Sequence, residues 1–385
     1  MALSWVAADA RTGKVLAEMP DLSCERVGVV LGAYTSAAAS LPVPTAPEGW
    51  ARATLPGGAF LVLLDDDEPS WGGLVTRRTR TLGDTVDLSL ATIEAYLDRR
   101  YVRDRTFTGA SQTQIVRLLV EEFATDFPIE VEVAPSVVTR DRAYANESDK
   151  TLLSVLTELS GVEDGPEFTV RWAWRHDPER LVPVLHVADR IGSPVPPDLG
   201  PAATFEAPGP VVQLELVEDY GAGKGATDVM AVSSGSVGER PQSPRQIAAQ
   251  SERPPFEFRF TPSTSITEVS TLTSHAAEAL ALMADGARTL SLAAVIDQAP
   301  RLGRDWWIGD DIGYRVGDVW TERVGLFPGG GAFPGPATFP AQPEDVEKYN
   351  IPAFPGGLMG VARCIGWEID LTGVPTVAPI LEMED

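Results

Sequence analysis

The sequence predicts a mainly β protein with an α+β lobe, built around two barrel-like β domains. Three observations carry this. Short stretches that alternate apolar and polar residues with a period of two recur along most of the chain, separated by turn residues. Glycine and proline number 35 and 32 of 385 residues, which suits many turns and few long helices. Apolar residues at helical spacing concentrate in a few places, near residues 107–127, 149–161 and 266–286.

Residues 1–101 read as the first barrel-like domain. The most informative part is Trp71–Tyr101, WGGLVTRRTRTLGDTVDLSLATIEAYLDRRY. Leu74, Thr76, Arg78, Arg80 and Leu82 share one parity and Val75, Arg77, Thr79 and Thr81 the other, so a strand is expected. Gly83-Asp84 signals a turn, and Thr85–Leu90 alternates again with Val86, Leu88 and Leu90 on one face. Ala91–Leu97 loses the alternation and reads as a short helical turn. Upstream, strands are expected at Trp5–Ala8, Lys14–Leu16, Arg26–Leu31, Arg52–Leu55 and Phe60–Leu64. Ala38–Trp50, with Pro42, Pro44, Pro47 and Gly49, reads as loop. The run Asp65-Asp66-Asp67-Glu68 lacks the spaced oxygen ligands of a calcium loop and reads as a solvated hairpin tip.

Residues 102–199 read as the α+β lobe. Ile115, Leu118, Leu119 and Phe123 place an apolar face on a helix capped by Thr108 or Ser111 and ended by Pro128. Ile129–Val133 follows as a strand. A second helix opens at Ser148 or Asp149 and carries Leu152, Leu153, Val155, Leu156 and Leu159, with Gly161 as its terminating glycine. Phe168–Trp174 and Leu181–Val187 pair across Asp177-Pro178.

Residues 200–385 read as the second barrel-like domain, entered through the proline-rich Gly192–Pro210. Strands are expected at Val211–Val217, Met230–Val232, Glu257–Thr261 and Thr289–Ile296, then near Trp306–Gly309, Ile312–Val316 and Val319–Val324. Ser265–Glu268 fits a capping box for the helix at about 266–286. Leu358–Leu371 closes the chain as a strand pair before an extended tail with Pro375 and Pro379. Between them, residues 326–357 hold four Phe-Pro pairs among glycines. Proline biases such a segment to extended backbone, and Phe327, Phe333, Phe339 and Phe354 supply single apolar anchors. These four are the candidate interface residues. Two readings stand: an arm docked on a neighbouring subunit, or a loop folded over its own barrel.

Recognisable reaction chemistry is absent. Net charge is −24, from 31 basic and 55 acidic residues, which argues against gripping nucleic acid by its phosphates. It fits either simple solubility or a conduit through which DNA slides without sticking. Gly221–Thr227, GAGKGAT, is no phosphate loop, because Glu218 replaces the first glycine and Gly225 replaces the serine or threonine after Lys224. The three histidines, His176, His186 and His275, sit in no metalloprotease motif, and no GxSxG surrounds a serine. Trp172 and Trp174 share one strand face and Trp306-Trp307 straddle both faces of another; such rings anchor cores or, when exposed, stack on sugars. Cys24 and Cys364 have no metal-binding spacing and read as buried thiols from a reducing cytoplasm. No signal segment or membrane-length apolar run is visible, and no cofactor is implied.

Trp71-Gly72-Gly73, the arginine-rich strand, LGDTVDLSLATIEAYLDRRYV and LLSVLTELSGVEDGPEFTVRWAW (Leu152–Trp174) resemble the minor tail proteins of long-tailed actinobacteriophages. These are similar to the tail-tip or baseplate hub of other tailed phages. The resemblance is strongest over Leu3–Tyr101, Leu152–Trp174 and Trp306–Leu371. It implies the tail-hub type of barrel, two per subunit, and a homotrimer whose six barrels meet a sixfold tube. It implies distal tail, tape-measure and fibre or receptor-binding proteins as partners, DNA only in transit, residence at the virion tail tip after synthesis in the host cytoplasm, and no enzymatic reaction. Alternatives are a carbohydrate-binding host-recognition module and a cell-wall hydrolase; the latter is disfavoured by the absence of a separate enzymatic segment before Asp385.

Overall fold

A computed structural model describes residues 3–382 of the chain, apart from 163, 197–199, 208, 234–239, 250–251, 263–267 and 318–356. The fold is mainly β. It divides into a larger unit, Met1–Gln213 with Leu292–Glu382, and a smaller one, Leu214–Ser291.

The first sheet of the larger unit has the order β2-β1-β6-β7-β8-β5-β3. Its strands are β1 (Leu3–Asp9), β2 (Val15–Glu18), β3 (Ser23–Cys24), β5 (Ser36–Pro42), β6 (Ala59–Asp65), β7 (Glu68–Arg80) and β8 (Thr85–Ala91); β4 (Arg26–Val30) lies elsewhere. The run AFLVLL makes β6 buried on both faces, and it pairs β1 and β7 along its length. The expected hairpin is β7–β8, although Leu82 falls beyond its end and is fully exposed. Two segments differ from expectation. The first part of the expected loop Ala38–Trp50, through Pro42, belongs to the strand Ser36–Pro42: Ala37, Ala39 and Leu41 point inward against β8, and small alanine side chains hide that alternation in the sequence. Arg52–Leu55 is not a strand, because Gly49 at φ 81° starts the single-turn helix α1 (Trp50–Ala53). The expected helical turn after β8 is α2 (Glu94–Leu97).

The lobe follows with β9 (Arg105–Ser111), α3 (Gln112–Phe123), β10 (Glu130–Val133), β11 (Thr139–Tyr144), α4 (Leu152–Ser160), β12 (Glu167–His176) and β13 (Glu179–Ala188). Both helices were expected, with shifted details. Val116 and Val120 join Ile115, Leu119 and Phe123 in the buried face of α3, while Leu118 is 39% exposed. Thr151 caps α4, its Oγ1 accepting the Ser154 N–H at 3.2 Å, rather than Ser148 or Asp149. Gly161 ends α4 at φ −78°, so it is not a left-handed cap. The pair β9–β11 has mixed polar faces and no clean alternation, which is why it was not expected. Val6, Phe60 and Val62 share one continuous core with Ile115, Leu119, Leu156, Phe168 and Leu185. Residues 1–101 and 102–199 are therefore built around the same interior.

The second sheet has the order β14-β20-β21-β22-β19-β15, with β4 also on β21. The strands are β14 (Thr204–Ala207), β15 (Val211–Asp219), β19 (Ala287–Val295), β20 (Asp311–Val316), β21 (Leu358–Asp370) and β22 (Thr376–Glu382). Three features depart from expectation. Trp306–Gly309 forms turns before β20 rather than a strand. The expected strand pair Leu358–Leu371 is one long strand, β21, that ends at Asp370, and its partner is the supposed tail: Pro379 sits opposite Trp367 in β22, beyond the two residue pairs that β22 makes with β19, where a missing N–H costs no bond. The amino-terminal β4 pairs β21 from Arg26↔Asp370 to Gly366↔Val30, so this sheet draws on both ends of the chain.

The smaller unit contains β16 (Asp228–Ala231), β17 (Gln246–Ile247), β18 (Glu257–Phe260) and α5 (Val269–Met283) around Ala226, Val229, Ala231, Leu272, Ala276 and Met283. Gly221–Thr227 is a turn leading into β16, and it opens no helix. Residues 265–267 of the expected capping box, the expected strand Val319–Val324 and the Phe-Pro segment before Gly357 lie outside the described residues.

Candidate functional site

The four candidate interface residues, Phe327, Phe333, Phe339 and Phe354, also lie outside the described residues. What the structure does show is a cavity of about 330 Å³ in the larger unit. Its lining comes from the turn and start of β7, the α2 turn, β12, the loop before β20, and β21. Trp71, Trp172, Trp307 and Trp367 provide ring surface; Glu94, Thr169, Arg171 and Arg304 provide polar groups.

Local sequence explains the tight placement of the rings. Gly72 is needed beside Trp172, because a Cβ there would lie 2.4 Å from the indole Cε2. Trp172 Nε1 donates to the Gly72 carbonyl at 3.1 Å, and Trp71 Nε1 donates to the Gly28 carbonyl at 2.9 Å. Trp71 is buried, while Trp307 is 41% exposed with the Arg171 guanidinium 4.7 Å from its ring centre. The expected strand-face pair Trp172 and Trp174 is half-buried, and Trp174 Nε1 donates to the Asp67 carbonyl at 2.9 Å. Trp306 is a core anchor, edge-on to Phe205.

The polar groups are unusual. Glu94 is 1% exposed, and its Oε2 has no hydrogen-bond partner among the described residues. Burial pushes its carboxyl up to about 7, against hydrogen bonds from its own backbone N–H, the Thr92 hydroxyl and the Val170 N–H. Thr169, also 1% exposed, leaves Oγ1 unpartnered, and Arg171 leaves Nε unpartnered. Burial lowers the basicity of Arg171, partly offset by Asp310 and Glu132. Each buried polar atom without a partner costs about 1–3 kcal/mol, and all three of these are closed to solvent.

Beside the cavity the acidic run is not merely solvated. Asp65 accepts from Arg301 at 3.2 Å and Asp66 from Arg304 at 2.9 Å, tying the β6–β7 turn to the loop before β20. A larger open groove of about 760 Å³ runs past β4, β5 and β8, without an unpartnered buried polar atom in its lining. The histidines lie apart, on β12, β13 and α5; burial and Arg171 lower the pKa of His186. Cys24 and Cys364 are free and buried, their thiols pushed up to about 11 and about 12 by burial. Among the described residues no group of histidine, cysteine and carboxylate side chains is arranged to hold a metal, and no helix is long and apolar enough to cross a membrane.

No family model matches the sequence, and no curated protein matches it. Solved structures do. A 43 kDa prophage tail protein of Shewanella oneidensis matches 99% of this chain and 100% of its own, with a TM-score of 0.53 at 12% identity. The chain has a phage tail-protein fold. A tail protein of Neisseria meningitidis matches 98% of this chain and 96% of its own at TM-score 0.49 and 12% identity. A prophage tail protein of Listeria monocytogenes matches 99% and 95% at TM-score 0.45 and 9% identity. At such identity the tail-protein fold assigns no role to any cavity side chain. Sequence reasoning missed Glu94, Thr169 and Arg171. The available signal was Glu94 itself, an acid set among the buried Ile93 and Leu97.

Proposed function

We propose that the chain is a structural protein of a phage tail, serving as the hub at the tail tip. The observation that carries this is the fold likeness to a phage tail protein over essentially the whole of both chains. The sequence resemblance to minor tail proteins supports the same reading independently. In this proposal three subunits form a ring that closes the tail tube and contacts distal tail, tape-measure and fibre or receptor-binding proteins. The ring opens for DNA passage. Each chain contributes two seven-stranded sheets, so a trimer supplies six, the number needed to meet a sixfold tube. A charge of −24 per chain disfavours DNA adhering during transit. The role requires no catalysis.

Mass photometry of the purified chain tests the assembly. The expected species has three times the 41.2 kDa chain mass. A monomer at every concentration, with or without its tail partners, overturns the trimeric hub.

A further inference from the structure

We propose that the arginine-lined pocket at Tyr101 docks a carboxylate-rich segment of a protein partner, an interaction surface that does not depend on the tail-hub reading. The pocket, of about 340 Å³, is lined by Arg99, Arg100, Tyr101 and Arg103 together with the end of α3. Charge is the first argument. The chain is acidic overall, and Arg26, Arg117, Arg175 and Arg190 each sit against a carboxylate. Arg99 and Arg103 do not: both are exposed, and neither has a hydrogen-bond or ion-pair partner among the described residues. Arg100 gives its Nε to the Phe123 carbonyl at 2.6 Å and keeps both terminal nitrogens for another acceptor. The carboxylate in the lining, Glu122, is already held by Arg105 at 3.4 Å. Flanking Asp98 and Asp104 accept from the Thr151 hydroxyl at 2.8 Å and the Asn146 N–H at 2.9 Å. The pocket therefore presents unpaired positive charge.

The second argument is preorganisation. Exposed Arg99, Tyr101 and Arg103 alternate with half-buried Arg100 and buried Val102. The Val102 N–H donates to the Lys150 carbonyl at 2.9 Å, and the Leu152 N–H donates to the Arg100 carbonyl at 2.7 Å. The backbone that carries the arginines is fixed before anything binds, which lowers the entropy cost of docking. Tyr101, 59% exposed, stands between them. Tyrosine and arginine side by side are the residues that carry most of the energy of protein–protein contacts. Other occupants fit less well. An apolar segment would take water from the guanidinium groups and return no acceptor. Nucleic acid needs a basic stripe that follows many phosphates, and a chain of net charge −24 repels it. A carboxylate meets the guanidinium fork with two oxygens for two N–H groups.

The experiment uses the full chain, fluorescently labelled, in thermophoresis at about 20 mM salt, where surface charges are weakly screened. The probes are N-acetylated hexaglutamate, a thymidylate hexamer and inorganic tripolyphosphate. Hexaglutamate is expected to bind saturably with Kd of about 0.1 mM, and to weaken as salt rises. The double variant Arg99→Gln, Arg103→Gln, at exposed positions without partners, is expected to weaken it about tenfold. Tyr101→Ala is expected to weaken it about threefold. The control Arg77→Gln, Arg80→Gln removes the same charge from exposed positions on β7 and is expected to leave binding unchanged. No binding of hexaglutamate at about 2 mM, twentyfold above the expected Kd, overturns the proposal. So does equal weakening in the two double variants, which marks a general charge effect. Tenfold tighter binding of the hexamer or of tripolyphosphate also overturns it, in favour of a phosphate site.

Discussion

Arg363→Ala is expected to lower the unfolding free energy by about 3 kcal/mol, the low end of the cost of stranding one partner of a buried ion pair, since this pair is largely but not fully enclosed. The Arg363 and Glu167 side chains are only 13% and 21% exposed. Two parallel bonds join them, Nη1 to Oε1 at 2.7 Å and Nη2 to Oε2 at 2.6 Å. The guanidinium also donates to the Ile191 carbonyl at 3.1 Å, and Glu167 Oε2 accepts the Ile191 N–H at 2.6 Å. The pair thus joins β21 of the second sheet to β12 of the lobe through one loop backbone. That loop has no slack: Gly192 and Gly309 both have positive φ, and a Cβ on Gly192 would lie 1.9 Å from the Gly309 carbonyl carbon. Hydrogen bonding to Glu167 raises the Arg363 pKa, so the guanidinium stays charged at any working pH. Urea unfolding measures the effect. The double variant Arg363→Met, Glu167→Leu keeps the volume without the charges and is expected to recover most of the loss. A loss under about 1 kcal/mol in Arg363→Ala would place the pair with ordinary surface ion pairs.

The second large effect depends on pH. The Glu94 carboxyl titrates at 4.5 in an ordinary setting and at about 7 when folded, because burial disfavours its charge. The folded state therefore holds this proton more tightly. Its contribution to stability is full below 4.5, declines as pH rises through the interval, and is lost above about 7. Across 2.5 pH units at 1.36 kcal/mol each, the loss comes to about 3 kcal/mol. Arg171, Arg304, Asp65 and Glu68 line the same cavity, and none forms a hydrogen bond to Glu94 Oε2. Glu94→Gln cannot ionise. Relative to wild type it is expected to gain stability from pH 5 to about pH 7 and then level off, ending about 2.5 kcal/mol ahead of its value at pH 5. Urea unfolding of both proteins at several pH values checks this. A difference that stays flat with pH means that the folded carboxyl titrates normally and that water reaches it freely.

The parts of the fold legible in the sequence are those whose side chains alternate strongly. The runs AFLVLL and VDLSLA declare β6 and β8, and Gly83-Asp84 declares the turn between β7 and β8. Strand β5 was hidden because alanine and serine carry little hydrophobic contrast. The pairing of β4 with β21 was invisible because its residues are separated by most of the chain, and period-two patterning says nothing about partners. The site was half legible. Trp71–Tyr101, which holds the clearly alternating β7–β8 hairpin, supplies Trp71, Gly72 and Glu94 to the cavity. Thr169, Arg171 and Trp307 come from elsewhere, and their convergence is a property of the fold. The acidic run at Asp65 looked solvated because the arginines that neutralise it lie more than two hundred residues downstream.

The most direct test of the tail-hub account is a cryo-EM reconstruction of the purified protein and of a tail that contains it. The account predicts a threefold ring with six β lobes around a channel, seated at the tip of the tube. A subunit bound outside the tube, with no ring and no channel, would contradict it.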